Sequence, residues 1–344
     1  MNYSVVIATR NRLPALTLSV PRILSQSRPP AQLIVVDSSD DHKQVSDAIN
    51  QMTAGSQVQT IIMQSERGLT LQRNIGLELV KHPVVFFPDD DSIFFPDAAK
   101  EIMETYERDT NNRISAVCAA ESFRGPDDFT TSQATYKKMP GDRFKKQFQK
   151  RRSILEQHFF PDPRIVLGQS FFSKFPIDKI QEQSNVMPVE FMTGFRMSFR
   201  TDVVRRYRFD ALLTRYALFE DVDASYKAWQ FGAVVGARNA KIFHYRSPEK
   251  RGEGHWIGAM QLLNMAYIIC ANSLHGHPVR KLLSRYCRYK TFLYLVSAKD
   301  RYGRERYKGA KAALTEIPGL LRASPTELGS LYQLATDRCI QSKV

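Results

Sequence analysis

Four apolar runs recur in the first ninety residues, each closing on polar ones. They are Ser4 to Ala8 (SVVIA), Leu33 to Val36 within AQLIVVDSSDD, VQTIIMQ ending near Gln64, and PVVFFPDDD. Continuous runs rich in Val and Ile read as strands covered on both faces. Between them the apolar spacing changes to that of helices. Leu13, Leu16, Leu18 and Ile23 predict one helix, disturbed near Pro21, and a second runs through Gln44 to Met52. Leu71, Ile75, Leu77 and Val80 predict a third, with those residues on its inner side. This alternation implies an α/β fold with a mainly parallel sheet flanked by helices. Ligands on such sheets bind beyond the carboxyl ends of the strands. Asp37, Asp89, Asp90 and Asp91 all stand at those ends and are expected to share one crevice.

After Pro96, the residues Ala98, Ala99, Ile102, Met103 and Tyr106 predict another helix, and ISAVCAAES another strand. Residues 126–187, rich in Gln, Lys, Arg, Phe and Pro, lose the pattern and read as a variable insertion, either shaping an acceptor pocket or lying on a surface. From Pro188, VEFMTGFRMSFRTDVVRRY reads as strand, turn at Gly194, strand and helix. Phe219, Val222, Tyr226 and Trp229 predict a core-facing stripe that leaves Glu220, Asp221 and Asp223 off it, in a first turn. AVVGA and KIFHY read as two short strands, the second carrying His244. Beyond Arg246 the chain turns helical: Leu282, Leu283, Tyr286, Leu293 and Val296 make one stripe, with Arg285, Arg288 and Lys290 interleaved. Tyr307, Ala310, Leu314, Ile317 and Leu321 make a second. The expected division is a domain over 1–246 and a basic helical region over 247–344.

Charge changes this picture most. The net charge is +14, and residues 246–344 hold 17 Lys and Arg against seven Asp and Glu. Such an excess calls for an anionic partner. The four cysteines are widely spaced with no CxxC pair, which argues against a zinc site or disulfide framework and for reduced thiols in the cytoplasm. MNYSVVIATR lacks the basic start of a signal peptide, and no run approaches the roughly 18 apolar residues of a membrane span. Any membrane contact of the basic region is therefore expected to be peripheral, on the inner face. The alternative is that its stripes pack on the first domain or on a second subunit of a homo-oligomer.

Adjacent carboxylates repel, so PDDD needs cations or water among its side chains. A solvated turn is one reading and a divalent-cation site is another. Taken in order, VVIATRNR, LIVVD, GLTLQRNIG, VVFFPDDD, TGFRMSFR, FEDVDASYKAWQFG and KIFHY resemble the family 2 glycosyltransferases, which have a GT-A fold. The likeness covers roughly residues 1–125 and 188–246. It implies a metal-dependent inverting transfer of a sugar from a nucleotide-sugar donor, UDP- or dTDP-linked. The implied acceptor is a glycan or a lipid-linked acceptor in bacterial surface polysaccharide synthesis. The resemblance places Asp89 and Asp91 in a DxD pair, Asp89 toward the donor ribose and Asp91 on Mn²⁺ or Mg²⁺, with Asp90 holding the loop or helping with the sugar. It also has Asp37 accepting a pyrimidine N3–H, Arg73 on a phosphate or base edge within the loop of Arg67 and Gly68, and His244 completing the metal site. Asp221 would be the general base, and Glu220 would orient it or bind the acceptor; the alternative is that both merely interact with the helix dipole.

Thr9, Arg10 and Asn11 end the first strand, where polar groups can meet a nucleotide; for Arg10 a surface salt bridge is an equal alternative. Gly194 suits a close backbone approach, with Thr193 and Arg196 beside it, and His255 and Trp256 in GEGHWIG would belong to a flexible loop closing on the donor. One departure stands out: Ser38 and Ser39 follow Asp37 where the family often has an acid and a glycine. A nucleotidyltransferase would usually have a glycine-rich loop after the first strand, and ATRNRLPAL has no glycine. A non-catalytic nucleic-acid binder would need its charge along an aromatic groove, and most of the excess lies beyond the acid-rich region.

Overall fold

The structure is a computed structural model that describes residues 1–129, 159–175, 185–214, 217–246 and 253–341. The chain forms two compact units, one of residues 1–135 and 171–249 and one of residues 136–170 and 250–344. The stretch expected as one insertion is thus divided between them. Much of it, with RFKKQFQKRRS, lies outside the described residues.

Nine strands build the first unit: β1 (Tyr3–Thr9), β2 (Gln32–Asp37), β3 (Gln59–Gln64), β4 (Val84–Phe87), β5 (Ser92–Phe94), β6 (Ile114–Ser122), β7 (Val186–Pro188), β8 (Met197–Arg200) and β9 (Ala233–His244). Helices α1 (Leu13–Leu24), α2 (His42–Thr53), α3 (Leu69–Leu79), α4 (Ala98–Arg108), α6 (Thr201–Tyr207) and α7 (Glu220–Ala228) accompany them; α5 (Pro163–Ser170) belongs to the second unit. The sheet order is β3-β2-β1-β4-β8-β6-β9-β5, with β7 also on β9. The half from β3 to β4 is parallel, as expected of strands buried on both faces. The other half is mixed, because β8 runs antiparallel to both β4 and β6. The register sets Thr9 beside Asp37, and Asp37 beside Gln64, at one sheet end.

Two segments differ from the sequence reading in ways that matter for the site. AVVGA and KIFHY are one strand, β9, whose pairing to β6 shifts between Ala237, opposite Ala119, and Lys241, opposite Ala120. The bulge lets a single strand cross the sheet and set His244 opposite Ser92, next to Asp91. Helix α3 presents a different inner face: Thr70, Gln72, Arg73, Gly76 and Leu77 are buried, while Leu71 is 41% exposed. It crosses strand ends, where carbonyls need donors more than methyl groups. The Gln72 amide supplies two, to Thr9 O at 2.9 Å and Val36 O at 2.8 Å. Gly76 is required at the crossing, since a Cβ there would lie 2.3 Å from Val6 Cγ1.

The second unit centres on α8 (Gly254–Asn272), surrounded by α9 (Pro278–Val296), α10 (Arg301–Arg322) and α11 (Leu328–Gln341). GEGHWIG therefore enters a helix; residues 254–260 are its first turns, and His255 is buried. The glycines serve packing. A Cβ on Gly258 would lie 1.9 Å from Arg306 O, and one on Gly309 the same distance from His255 O, so α8 and α10 touch backbone to backbone. Arg280 donates to the α8 terminal carbonyls of Cys270 at 2.9 Å and Ser273 at 3.1 Å, satisfying acceptors that the helix leaves open. All four cysteines are buried and none is in a disulfide, and burial pushes the thiol of Cys270 up to about 11 and that of Cys339 to about 12. Among the described residues no helix is long and apolar enough to cross a membrane.

Candidate active site

β4 runs into Pro88 and then a turn that holds the three aspartates apart. Ser92 N–H donates to Asp89 O (3.1 Å), Ser19 Oγ to Asp90 O (2.6 Å) and Tyr245 N–H to Asp91 O (3.1 Å). With its backbone tied at three points, the turn aims each carboxylate differently. Asp90 points inward, 3% exposed; its Oδ2 accepts from Thr9 Oγ1 at 2.9 Å and its Oδ1 is ion-paired with Arg12 Nη1 at 2.9 Å. Burial pushes its carboxyl up to about 7, against the pull of Arg12. Asp91 receives Arg12 Nη2 at 2.6 Å and lies 3.2 Å from His244 Nε2. Burial alone would raise it, but His244 and Arg12 prevail and hold it at about 2. Asp89 accepts from Arg73 Nη2 at 3.0 Å. The cluster of like charges is thus balanced by Arg12, Arg73 and His244.

One donor atom each from Asp89, Asp91 and His244 lie within 4.8 Å of one another. An ion with ligands at about 2.0–2.1 Å separates opposite donors by about 4 Å, so this set closes on one divalent cation with small adjustments. Two carboxylates and an imidazole suit Mn²⁺ better than Mg²⁺, which favours oxygen alone. The His244 ring is stacked on Phe195, centroids 4.6 Å apart at 13°, and this fixes its orientation.

The acid pair opens α7. Phe219 adopts a left-handed φ of 69°, so the chain turns sharply before Glu220. Asp221 Oδ1 accepts from Val222 N–H at 2.8 Å and Oδ2 from Gly194 N–H at 2.9 Å, which sets the carboxylate's direction. Glu220 is 5% exposed and its Oε1 is ion-paired with Arg73 Nη1. Oε2 is buried without a hydrogen bond. Burial pushes Glu220 up to about 8, with Arg73 opposing and Asp221 adding to the rise. Arg73, 1% exposed, therefore bridges the turn after β4 and the start of α7, and lies over the Phe209 ring at 5.4 Å. Gly194 closes the group: a Cβ there would lie 3.3 Å from Glu220 Oε1, 3.5 Å from Arg73 Nη2 and 3.7 Å from Asp89 Oδ1.

At the ends of β1 and β2 the picture is tighter than the sequence implies. Asp37 is fully buried, and its Oδ1 accepts from Ser39 N–H at 2.9 Å and Ser39 Oγ at 2.5 Å. His42 Nδ1 lies 2.8 Å from its Oδ2. The serine that replaces a family glycine thus occupies the aspartate. Arg10 pairs with Asp40 at 3.4 Å on the surface, and Arg196 is engaged with Thr193 Oγ1 and Ala119 O at 2.6 and 2.5 Å. Beside them a pocket of about 220 Å³ is bounded by Asn11, Leu13, Ser39 and Gln44. His255 and Trp256 belong to the second unit. Arg12, His42 and Gln72 were not legible as site residues. Arg12 is one loop arginine among several, and its pairing to Asp90 and Asp91 joins positions almost eighty residues apart.

Residues 4–180 match the model of the family described as Glycosyl transferase family 2. No curated protein matches the sequence. The fold is similar to the crystal structure of S. aureus TarS 1-349, with a TM-score of 0.53, 12% identity, and coverage of 99% of this chain and 92% of that one. The same S. aureus protein in complex with UDP-GlcNAc aligns with a TM-score of 0.52, 12% identity and coverage of 99% and 92%. Its complex with UDP gives 0.51, 14% identity, and coverage of 99% and 89%. At such identity the likeness shows the fold, a GT-A arrangement with helices after it.

Proposed function

Since the chain belongs to glycosyl transferase family 2 and is a glycosyltransferase, we propose that it catalyses a metal-dependent, inverting transfer from a UDP- or dTDP-sugar. The acceptor is a glycan or lipid-linked glycan of bacterial surface polysaccharide, met at the inner face of the membrane. One observation carries the reading: Arg73 joins Asp89 of the acid turn to Glu220 of the acid pair around the backbone of Gly194. Donor-side and acceptor-side carboxylates then form one electrostatic unit.

Asp89, Asp91 and His244 are the residues that would hold the cation. Its chemistry is to neutralise the charge that develops on a departing nucleoside diphosphate. The rest falls to the protein. Thr9 and Arg12 fix Asp90 and Asp91, so the turn needs little rearrangement during reaction. The nucleoside lies over the ends of β1 and β2, where Arg10 releases Asp40 to meet phosphate and where the base reaches Asp37 by displacing Ser39 or His42. Asp221 takes the acceptor hydroxyl's proton. Backbone N–H bonds from Gly194 and Val222 orient it. Glu220 holds Arg73 in place and through it the acid turn. The uridine donor is proposed on the family's use of nucleotide-sugars, with a fold shared by an S. aureus protein whose structure is in complex with UDP. A thermal-shift series over UDP, dTDP, GDP and CMP tests it. Stabilisation by UDP or dTDP with Mn²⁺, lost on chelation, is expected. Stabilisation by GDP or CMP alone, or without metal dependence, overturns the donor and metal assignments.

A further inference from the structure

Helix α9 has two unlike faces. Val279, Leu283, Tyr286 and Cys287 are buried. Lys281, Arg285, Arg288 and Phe292 recur every three or four residues on the other side, and Leu295 and Val296 stand three and four residues beyond Phe292, so all six share one face. Its first half is cationic, and its second half is apolar, with Phe292 58%, Leu295 49% and Val296 62% exposed. The helix contains no acidic residue. Among the described residues Lys281, Arg285 and Arg288 have no carboxylate partner, and Arg285 lies over the Phe160 ring at 5.8 Å. Phe160 is itself stacked on Tyr289 at 4.2 Å and 7°. The aromatic pair and the cations bound a groove of about 690 Å³.

We infer that this face of α9 docks on an anionic phospholipid bilayer. Charge complementarity decides the occupant. Lys281, Arg285 and Arg288 sit where lipid phosphates would lie, while Phe292, Leu295 and Val296 continue the same face into the acyl boundary. A second copy using this face would oppose cations to cations with the helices parallel, or cations to the apolar half with them antiparallel, and neither arrangement is complementary. A polynucleotide would use the charges but leave the apolar half in water. The inference gives a structural means for the membrane-side acceptor proposed above, and it holds or fails independently of sugar transfer.

The test is co-sedimentation of the full chain with vesicles of phosphatidylcholine alone and of phosphatidylcholine with phosphatidylglycerol, at low and high salt. Two variants accompany it, Arg285→Glu/Arg288→Glu and Phe292→Ser/Leu295→Ser, with circular dichroism and donor hydrolysis in solution as controls. The substituted side chains are exposed and belong to the other unit from the catalytic residues, so hydrolysis is expected to be unchanged. Wild type should sediment with the anionic vesicles only, and less at high salt. The charge variant should lose on the order of 10²-fold in partitioning, from the worth of basic residues near such a surface. The apolar variant should lose the binding that survives high salt. Equal binding to neutral vesicles, no binding, or folded variants that bind like wild type would overturn the inference. So would a dimer in light scattering that Phe292→Ser/Leu295→Ser dissociates, or single-stranded DNA retained where vesicles are not. Loss of hydrolysis in wild type with vesicle binding intact would count against the enzymatic reading alone.

Discussion

Arg73 meets Asp89 and Glu220 at once while almost wholly buried. Removing either partner strands a buried charge, so such residues report on the site through stability as well as turnover. Glu220 gives a pH signature. Its folded value of about 8 lies above the ordinary 4.5, so the native state keeps a proton that the unfolded chain has released. Stability from this group is full below about pH 4.5 and declines as pH rises toward 8. Glu220→Gln mimics the protonated form, so its urea midpoint should gain on wild type between pH 5 and 8; a constant gap would mean that Arg73 keeps Glu220 ionised throughout. Asp91→Ala should abolish Mn²⁺-dependent stabilisation by UDP while the melting temperature in chelator falls little, since Arg12 keeps Asp90 and is 29% exposed. Undiminished Mn²⁺ dependence would remove Asp91 from the metal site. Asp89 and Asp91, in the turn after β4, and His244, at the end of β9, were expected together from the ordered set of motifs. Arg12, Ser39 and His42 were not, because a polar contact across a crevice leaves no periodic trace in sequence.

Helices and strands were legible where one apolar period dominates. The inward residues Ala98, Ala99, Ile102, Met103 and Tyr106 of α4 are all buried. The pattern fails where an element has another task. α3 turns Gln72 and Arg73 inward to serve carbonyls and carboxylates, and β9 hides its continuity behind a bulge. GEGHWIG resembles a loop because glycine usually punctuates; here Gly254 and Gly258, four apart, mark where two helix backbones meet. Gly258→Val should therefore lower stability by about 1–3 kcal/mol or more, since the neighbour at 1.9 Å is backbone. Gly319, in α10 with nothing within 4 Å of a built Cβ, makes the contrast. Gly319→Ala should be stabilising by up to about 1 kcal/mol through helix propensity. Urea unfolding of both measures the difference, and equal effects would mean that α8 and α10 are not in backbone contact.

At the scale of the molecule, the parallel half-sheet gathers the ends of β1, β2 and β4, and the antiparallel pairing of β5 with β9 adds His244 to them. The fold class followed from strand–helix alternation. The division of residues 126–187 between two units did not, because that stretch has no period to read. The charge asymmetry was legible from composition, but which face carries it required the exposure of α9. The central claim is that this arrangement places a base, Asp221, against an acceptor beside a metal-held donor. The measurement that tests it most directly pairs donor affinity with Mn²⁺-dependent release of UDP from a UDP-sugar, in wild type and Asp221→Asn. The account predicts affinity within a few fold and a rate lower by roughly 10²–10⁴, the usual worth of a positioned general base. Unchanged release, or a collapse of donor affinity, would contradict it.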